Sequence, residues 1–484
     1  MTPLLGFSPD ADPTTPGVLT DCSQLIPYKN GMQTAPGAVT PNDVPALAAA
    51  CVGASVVDKM DGTRRIIAGT ATKLYELSGG AWSDVTRTVG GNYTGGTDTR
   101  WTITQFGDAT LCTNKTDTMQ RSTSGAFANI SGAPKADIVF NVGAFVMAMN
   151  YDDGTDTPDG WYCSAIYDET DWTTSTTTQC NKGRLVTQNG KITAGARLGE
   201  YAVAYKANAI YLGQYVGAPV VWDWTPVSGE AGCVGKNAIC DIGGAHFFVG
   251  RDNFWIFNGS TPVPVGDQQV RQWFFDNCNN TSLYKTICHF DRQNNLVWVY
   301  FPSSSSSTPN SALVYNLLSK QWGRANRDVE AVLTYIPAGF TYNTWDTAGA
   351  TYDTLPDYPY DSQYWLAGGQ SLSIFNTSHQ LQLMNGTESV STMTTGDYGD
   401  DDQVMLAKRI RLRFASGEGP SSATVQTYSK MGSGDAFSTG PTGSMVDGKF
   451  DFMRAARWHR ASFTINGAMK VTHMAADFKP VGRR

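Results

Sequence analysis

The feature that most constrains the fold of this chain is a short pattern that its sequence contains twice. LYELSGGAW runs from Leu74 to Trp82, and LVYNLLSKQW runs from Leu313 to Trp322. Each copy has an aliphatic residue before a Tyr, a Leu two positions after the Tyr, then four more residues and a Trp. Apolar runs of this kind around a turn are typical of a β-hairpin, so two copies of one hairpin are the simplest explanation.

Similar motifs, each a turn next to an aromatic residue, recur along the chain at roughly regular intervals. They fall near Trp82, Phe127, Trp172, Trp222, Phe257 and Trp322, and IFNGS at Ile256 is echoed by IFNTS at Ile374. The intervals are close to the roughly 40 to 50 residues of a four-stranded propeller blade. We therefore predict a β-propeller of about six to eight blades, with Tyr75 and Tyr315, and Trp82 and Trp322, at equivalent positions between blades. A large double sandwich remains the alternative.

Composition and turn signals also favour an all-β fold. The chain has 50 Gly, and only 16% of its residues are charged. Short apolar runs are separated by tight turns, which predicts antiparallel hairpins. Residues 247–249 are expected to pair with 254–256, and residues 202–205 with 210–212. The one helix candidate lies around Phe274.

Three regions are predicted from shifts in composition. Residues 1–45, rich in Pro, Gly, Asp and Thr, predict an extended N-terminal arm of the kind that lies against a neighbour. Residues 46–400 form the propeller, with an insertion near 341–364. Residues 401–484 form a C-terminal β domain, for which a small β-sandwich is predicted.

Two local patterns sharpen these assignments. In KRIRLRF, Ile410, Leu412 and Phe414 alternate with three arginines, which predicts a half-buried strand with one cationic face. The insertion repeats an aromatic-Asp-hydroxyl triplet that begins at Trp345, Tyr352 and Tyr360. Asx-turns that order an exposed loop explain this repeat, and an aromatic-rimmed contact surface is the alternative.

The net charge of −7 is unevenly distributed. Residues 401–484 contain 13 basic and 7 acidic residues, whereas residues 1–400 contain 23 basic and 36 acidic ones. An acidic body of this kind does not hold nucleic acid by counterion release, which requires a basic face. It would instead let DNA slide past without sticking.

The cysteines, the N-terminal residues and the length of the apolar runs indicate in which cellular compartment the protein is made. Nine cysteines without a C-x-x-C pair predict free, mostly buried thiols rather than disulfides or a zinc site. Residues 1–27 contain no Lys or Arg and no long apolar core, so no secretory signal is expected. No apolar run approaches the roughly 18 residues of a membrane span, and no membrane insertion is expected.

Acidic clusters are the first candidates for chemistry. One contains Asp152, Asp153, Asp156 and Asp159, and the other contains Asp397, Asp400, Asp401 and Asp402. Oxygen ligands of this type bind calcium, but neither cluster has the spacing of an EF-hand, so solvated turns are the preferred interpretation.

Other candidates for chemistry also have plainer interpretations. A glycosidase propeller would need a pair of carboxylates at its centre, and neighbours such as Asp168 and Glu169 do not establish one. The histidines are His246, His289, His379, His459 and His473; the first two lie inside apolar strands, where a structural role is the default. The basic cluster comprises Arg454, Arg457, Arg460, Arg483 and Arg484, beside Trp458 and His459. It would bind phosphate or, as we prefer, an acidic surface of another subunit or domain.

Four stretches carry a resemblance to a known family. They are residues 1–37, 160–172, 243–275 and 457–484, and they resemble the tail nozzle proteins of short-tailed bacteriophages, a family that includes packaged-DNA stabilisation proteins and the second tail tubular protein. The likeness extends from one end of the chain to the other. The family contributes no catalytic, cofactor-binding or metal-binding residues to transfer.

The resemblance implies a virion structural protein rather than an enzyme. It implies a β-propeller subunit in a hexameric ring below the portal and adaptor (head-completion) protein, made in the host cytoplasm and located in the phage tail. Such a ring would continue the DNA channel, retain the packaged genome, let DNA pass without sequence-specific binding, and offer attachment surfaces to tail fibres or spikes. The alternative is a carbohydrate-binding or glycoside-hydrolysing propeller that recognises a host receptor.

Overall fold

The computed structural model describes residues 2–29, 31–41, 44–335, 371–387, 390–432 and 434–483, and these residues form an all-β fold. The predicted insertion near 341–364, with its three triplets, lies outside the described residues. The N-terminal region contains β1 (Thr2–Pro3), β2 (Gly6–Phe7), β3 (Val18–Ser23), β4 (Leu25–Tyr28), β5 (Gly31–Thr34) and β6 (Pro36–Val39).

The next strands form antiparallel four-stranded meanders, which we number as blades in chain order. Blade 1 contains β7 (Gly53–Asp58), β8 (Arg64–Gly69), β9 (Leu74–Ser78) and β10 (Ala81–Asp84). Blade 2 contains β11 (Thr102–Phe106), β12 (Ala109–Thr113), β13 (Gln120–Ser122) and β14 (Ala128–Asn129). Blade 3 contains β15 (Lys135–Val142), β16 (Phe145–Asp152), β17 (Asp156–Cys163) and β18 (Asn181–Arg184). Blade 4 contains β19 (Ala194–Leu198), β20 (Tyr201–Tyr205), β21 (Ile210–Gly217) and β22 (Val221–Pro226).

The second part of the propeller differs in its connections. Blade 5 contains β23 (Ile239–Asp241), β24 (His246–Val249), β25 (Phe254–Phe257) and β26 (Val263–Pro264). Helix α1 (Arg271–Asn277), as predicted, and a 3₁₀ turn (Asn280–Lys285) follow it. Blade 6 contains β27 (Ile287–Asp291), β28 (Leu296–Phe301), β29 (Ser311–Asn316) and β30 (Trp322–Asn326). Blade 7 contains β31 (Ala331–Tyr335), β32 (Ser371–Phe375) and β33 (Leu381–Thr387), with β6 as its fourth strand.

The blades close into a ring, which confirms the predicted β-propeller and excludes the double sandwich. Six of the blades are separate four-stranded sheets, and blade 6 has the same meander within a larger sheet. The first strands of the blades pack in sequence, from β7 to β19 and from β23 through β31 back to β7. Between blades 4 and 5, the Tyr205 hydroxyl lies 2.8 Å from His246 Nδ1. Because β6 comes from the N-terminal region, the ring is closed by strands from distant parts of the chain.

Aromatic side chains fill the spaces between blades, as the repeated hairpin predicts. Trp82 of blade 1 packs on Phe375 of blade 7, with ring centroids 5.8 Å apart. Trp322 of blade 6 packs on Phe254 of blade 5, with centroids 4.8 Å apart. Each Trp therefore lies on the fourth strand of its blade and contacts the preceding blade. Both predicted hairpins are also present, β24 with β25 and β20 with β21.

The C-terminal region forms a sandwich. Its strands are β34 (Val390–Thr395), β35 (Tyr398–Gly399), β36 (Gln403–Phe414), β37 (Ser422–Lys430), β38 (Ser438–Ser444), β39 (Lys449–Ala456), β40 (Trp458–Asn466) and β41 (Lys470–Arg483). One sheet contains β2, β3, β34, β35, β40, β37 and β38, and β36, β39 and β41 belong to the other. Phe450 and Phe463 pack across the two sheets at 5.1 Å. Ile410 and Leu412 are buried between the sheets, as the KRIRLRF alternation predicts.

The N-terminal region joins the propeller to the sandwich. In the ten-stranded sheet the order is β27-β28-β29-β30-β4-β5-β41-β36-β39, with β1 beside β41. The backbones approach closely at this junction, because a Cβ on Gly31 of β5 would lie 2.2 Å from the Val471 carbonyl oxygen of β41. The segment that composition identifies as an arm is thus hydrogen-bonded into both halves of its own chain.

Candidate functional site: the propeller channel

The channel at the centre of the ring is the natural place for a site in a propeller, since all first strands face it. Two cavities lie along it. A cavity of about 220 Å³ is lined by residues that include Asp58, Asp291 and Arg292. A cavity of about 160 Å³ is lined by residues that include Lys236 and Glu330. His289 lines both cavities.

His289 is held as a structural residue, in agreement with the sequence interpretation. Its Nε2 lies 2.9 Å from Thr334 Oγ1 on the next blade. Burial lowers the pKa of His289 to about 4, because desolvation disfavours the charged ring. The imidazole is therefore neutral at physiological pH and joins blades 6 and 7 by a hydrogen bond.

Lys236 lines the second cavity. Its Nζ donates to the Arg100 carbonyl oxygen at 2.6 Å, to the Asp137 carbonyl oxygen at 3.1 Å and to Asp137 Oδ1 at 2.8 Å. Burial lowers the pKa of Lys236, while the Asp137 carboxylate acts in the opposite direction. The ammonium group thus connects the segment before blade 5 to blades 2 and 3.

Glu330 has a comparable role where the ring closes. Its Oε2 accepts the Cys51 backbone N–H at 2.8 Å, and its Oε1 lies 2.8 Å from His379 Nδ1. These contacts join the start of blade 1 to blade 7. The sequence gives no signal for Lys236 and Glu330, because their partners lie far away in sequence and neither residue belongs to a motif.

The first acidic cluster is divided among separate ion pairs. Asp156 lies 2.7 Å from Lys115 Nζ, and Asp159 lies 2.9 Å from Arg184 Nε. Asp153 pairs with Lys182, while Asp152 accepts the Gly154 backbone N–H in a turn. Each carboxylate has its own cation or backbone donor, which is the arrangement of a solvated turn.

The second acidic cluster is also divided. Asp397 is buried and pairs with Arg460 at 2.7 Å. Asp401 accepts the Trp458 indole N–H at 2.7 Å, and Asp400 accepts the backbone N–H of Asp402. Within the described ranges, no three His, Cys, Asp or Glu side chains come together in a group that could hold a metal ion.

Part of the basic cluster therefore binds groups of its own chain, both acidic side chains and neutral acceptors. Besides Arg460, Arg454 donates to Ser429 Oγ at 2.9 Å, and His459 Nε2 lies 3.0 Å from the Met405 carbonyl oxygen. Arg484 lies outside the described residues. The ion pair of Arg460 with Asp397 lies within the sandwich, whereas the sequence predicts a contact of this cluster with another subunit or domain.

The remaining candidates have structural partners. Glu169 pairs with Arg121 at 2.7 Å, and Asp168 accepts the Thr170 backbone N–H at 2.9 Å. His246 is buried, with Nε2 2.9 Å from the Arg197 carbonyl oxygen, and burial lowers its pKa. All nine cysteines are free and eight are buried, as predicted. Burial raises the pKa of Cys163, for example, to about 11, so this thiol stays protonated at neutral pH.

One end of the propeller is defined by the turns that join the first and second strands of blades 1 to 6, and we call it the hairpin end. Neighbouring turns contact each other there: the Met60 backbone N–H donates to Asp108 Oδ1 at 3.0 Å. The Tyr167 backbone N–H donates to the Ala144 carbonyl oxygen at 2.8 Å. No helix among the described residues is long and apolar enough to cross a bilayer.

Comparisons with known proteins add a likeness of fold only. No protein-family model and no curated protein matches the chain. Among solved structures, YCF48 bound to a D1 peptide is 14% identical, with 62% of this chain and 87% of that chain covered and a TM-score of 0.36. The extracellular domain of a one component system from B. thetaiotaomicron is 8% identical, with 92% and 62% covered and a TM-score of 0.42. At such identities neither a ligand nor an activity is transferred to this chain.

Proposed function

We propose that this chain is a structural subunit of a short bacteriophage tail, the nozzle below the portal and adaptor. Multiple copies form a hexameric ring that extends the DNA exit channel and retains the packaged genome. The observation that carries the proposal is the ten-stranded sheet, which runs from blade 6 through the N-terminal strands into the sandwich. Backbone hydrogen bonds along such a sheet couple the propeller and the sandwich into one stiff subunit. A protein that must withstand mechanical force requires such stiffness.

The contacts inside the propeller channel support the same proposal. Lys236, Glu330 and His289 use their polar atoms to join blades across or beside the channel. A channel occupied by such links serves to stiffen the ring of blades. We therefore place the DNA passage between copies of the chain, on the axis of the hexamer, and not inside one propeller.

The charge distribution gives this passage a mechanism. Residues 1–400 have 36 acidic and 23 basic residues. Acidic side chains that face the passage would repel the phosphate backbone, so DNA stays mobile while narrow loops retain it sterically. Opening is then a rearrangement of loops or subunits rather than bond chemistry. Outer surfaces of the ring would receive the adaptor and the tail fibres or spikes.

Labelling of phage particles tests the location. A gold-conjugated antibody against the purified chain, applied to particles whose genome encodes it, is expected to bind at the tail tip. A particle made without the chain is expected to fill its head and then lose its DNA, which nuclease sensitivity measures. Labelling of free protein only, or heads that retain DNA without the chain, would rule the proposal out.

A receptor-binding propeller is the second candidate, and exposed tyrosines favour it. Tyr167 and Tyr215 are exposed at the hairpin end, where aromatic rings can stack on sugars. This function predicts binding to host glycans by the isolated chain or release of reducing sugar from them. Binding that is lost in a Tyr167→Ala/Tyr215→Ala variant, together with the absence of rings, would favour this candidate over the nozzle.

A further inference from the structure

Five asparagines of this chain are followed directly by a glycine. They are Asn30, Asn189, Asn258, Asn385 and Asn466. Asparagine is chemically labile at such a pair, because the backbone nitrogen of the next residue attacks the side-chain amide, and glycine has no Cβ to hinder that attack. The attack requires rotation of the asparagine side chain and of the following peptide group. The fold therefore decides which of the five pairs reacts.

Asn189 lies at the tip of the loop that joins β18 of blade 3 to β19 of blade 4. The tip is held at both ends: Lys206 Nζ donates to the Gln188 carbonyl oxygen at 2.6 Å, and the Ile192 backbone N–H donates to a carbonyl oxygen of β17 at 2.8 Å. Between these two points, residues 189–191 are exposed, and they form no hydrogen bond with any residue that the structure describes. The Asn189 side chain is therefore free to rotate.

The backbone of Gly190 also suits the attack. Gly190 has a φ of +100°, and a Cβ built on it would have no atom within 4 Å, so the space beside it is open. Its exposed N–H has no acceptor among the described residues, so water can take up the proton that the nitrogen loses. The nitrogen that forms the new bond is thus accessible.

Two of the other pairs are restrained by hydrogen bonds. Asn258 Oδ1 accepts the Ser260 backbone N–H at 3.3 Å and the Ser260 hydroxyl at 2.7 Å, which fixes the side chain in an Asx-turn. Asn466 Nδ2 donates to Ser422 Oγ at 3.0 Å, and Asn466 pairs with Val390 and Ser422 as the last residue of β40. These hydrogen bonds must break before either amide carbon can approach the glycine nitrogen.

The remaining two pairs lie elsewhere. Asn385 lies inside β33, where Gly386 pairs with Gly37 of β6, so the peptide group between Asn385 and Gly386 is kept extended. Asn30 lies outside the described residues. Of the four described pairs, the one at Asn189 thus combines a loop backbone with a free, exposed side chain.

We infer that Asn189 is a site of spontaneous deamidation. The Gly190 nitrogen forms a bond to Asn189 Cγ, the bond from Cγ to Nδ2 breaks, and the amide leaves as ammonia with the proton that the nitrogen loses. The product is a cyclic succinimide. Water then opens this ring at either carbonyl carbon and leaves aspartate or isoaspartate at position 189.

The reaction places a negative charge near a buried cation. Lys206 is 1% exposed, and its Nζ binds the carbonyl oxygens of Leu185 and Gln188, with no carboxylate of the described residues at ion-pair distance. The new carboxylate belongs to the residue that follows Gln188, and isoaspartate also adds a methylene group to the backbone before Ile192. Deamidation therefore changes both charge and backbone in the loop between blades 3 and 4. It goes beyond the proposed function and does not depend on it.

Peptide mass spectrometry of the full chain tests this reaction. The purified chain is kept in a mildly alkaline buffer, once folded and once unfolded in urea, and samples are digested with trypsin over time. Asn189, Asn258 and Asn466 are read from the peptides 185–191, 252–271 and 461–470. In the folded chain, Asn189 is expected to deamidate about 10-fold faster than Asn258 and Asn466, whose side chains must first break hydrogen bonds. In urea, the three rates should become similar.

Two variants make the test specific. Asn189→Gln keeps an amide but should stop the reaction in its peptide, because the longer side chain must close a larger ring. Ser260→Ala removes an exposed hydroxyl that binds Asn258, so it should speed deamidation of Asn258 several-fold. Melting temperatures establish that both variants are folded.

The outcomes are distinct. Aspartate and isoaspartate at position 189 of the folded chain, separated by chromatography, would support the succinimide route. Equal rates at the three asparagines in the folded chain would overturn the inference, because the fold would then not select Asn189. Conversion of Asn189 in urea alone would overturn it too, since the native loop would protect the site. Each of these results leaves the nozzle proposal unaffected.

Discussion

The two hairpins that share a sequence pattern have very different surroundings. In the first copy, β10 is the outer edge of blade 1, and Trp82 is only half-buried. In the second copy, β30 is followed by β4, and Trp322 is 0% exposed. The pattern places each Trp against the preceding blade, but the next strand decides how much of the hairpin is removed from water.

The turns also separate the two copies. Gly79 and Gly80 both have positive φ and form a two-residue turn, so Trp82 pairs with Leu77. The second copy has a longer turn, and Trp322 pairs with Tyr315, with ring centroids 4.7 Å apart. An equal spacing from Tyr to Trp in sequence thus gives two registers, because turn geometry sets which residues face each other.

The largest loss of stability is expected when the buried Trp322 is replaced. Trp322→Ala removes a fully buried indole that contacts Phe254 and Tyr315, so it should lower the free energy of unfolding by about 3–5 kcal/mol. Urea unfolding followed by fluorescence and circular dichroism measures this. A loss below about 1 kcal/mol would show that the site collapses around the cavity.

The second largest loss of stability is expected when the residue after the Trp in one copy is replaced by the residue found there in the other copy. Gly323 follows Trp322, whereas Ser83 follows Trp82. A Cβ on Gly323 would lie 2.4 Å from the Leu25 carbonyl oxygen and 2.7 Å from Ile26 Cα. Gly323→Ser should therefore push β4 away and cost about 1–3 kcal/mol, as overpacking does.

Ser83→Gly is the control for this exchange, since Ser83 lies exposed on an outer strand. It should cost no more than roughly 1 kcal/mol, the entropic effect of a strand glycine. Hydrogen exchange across β4 and β30 should rise in Gly323→Ser and stay unchanged in Ser83→Gly. Equal hydrogen-exchange protection of β4 and β30 in the two variants would argue against close packing between these two strands.

The half-buried counterpart, Trp82, should contribute less to stability than Trp322. Trp82→Ala loses packing on Phe375 and the 3.0 Å hydrogen bond from its indole N–H to the Pro45 carbonyl oxygen. We expect about 1–2 kcal/mol, since a half-buried ring gives up only part of its transfer free energy. The same urea titration compares the two tryptophans. If Trp82→Ala and Trp322→Ala lowered the free energy of unfolding equally, the different burial of the two side chains would have no effect on stability.

The smallest expected effect is on the pH dependence of stability. Partial burial alone raises the pKa of Asp84 beside the first hairpin, but hydrogen bonds from Lys73 Nζ at 2.8 Å and from Thr86 lower it on balance. A lowered folded pKa gives stability that is present above the ordinary value of about 3.9 and is lost as pH falls through the folded pKa. Asp84→Asn should flatten stability against pH below about 4. An unchanged slope in thermal melts from pH 5 to pH 3 would contradict this contribution.

Much of the fold could be predicted from local patterns. The period of the aromatic motifs predicts the blades, and the alternation of Ile410 and Leu412 with arginines predicts a sandwich strand. The region around Phe274 predicts helix α1. These signals are local because strand alternation and turn chemistry depend on near neighbours. The hexamer, the adaptor and the DNA passage remain predictions.

The channel and the junction could not be predicted in this way. Lys236 meets Asp137, and Gly31 meets Val471, through contacts that join residues far apart in sequence. Such pairs leave no periodic signal, since each partner lies in a segment with its own local pattern. A glycine that is needed for close approach to a distant strand looks like any other turn glycine in the sequence.

The sequence by itself determined that the chain builds repeated antiparallel hairpins with aromatic faces, because period and turn residues act locally. Only the tertiary structure decided that the N-terminal strands close blade 7 and connect blade 6 to the sandwich, and that one hairpin is covered while its copy stays at an edge. The physical reason is that an unpaired strand edge accepts any strand of suitable geometry. Which strand fills it depends on how the whole chain packs.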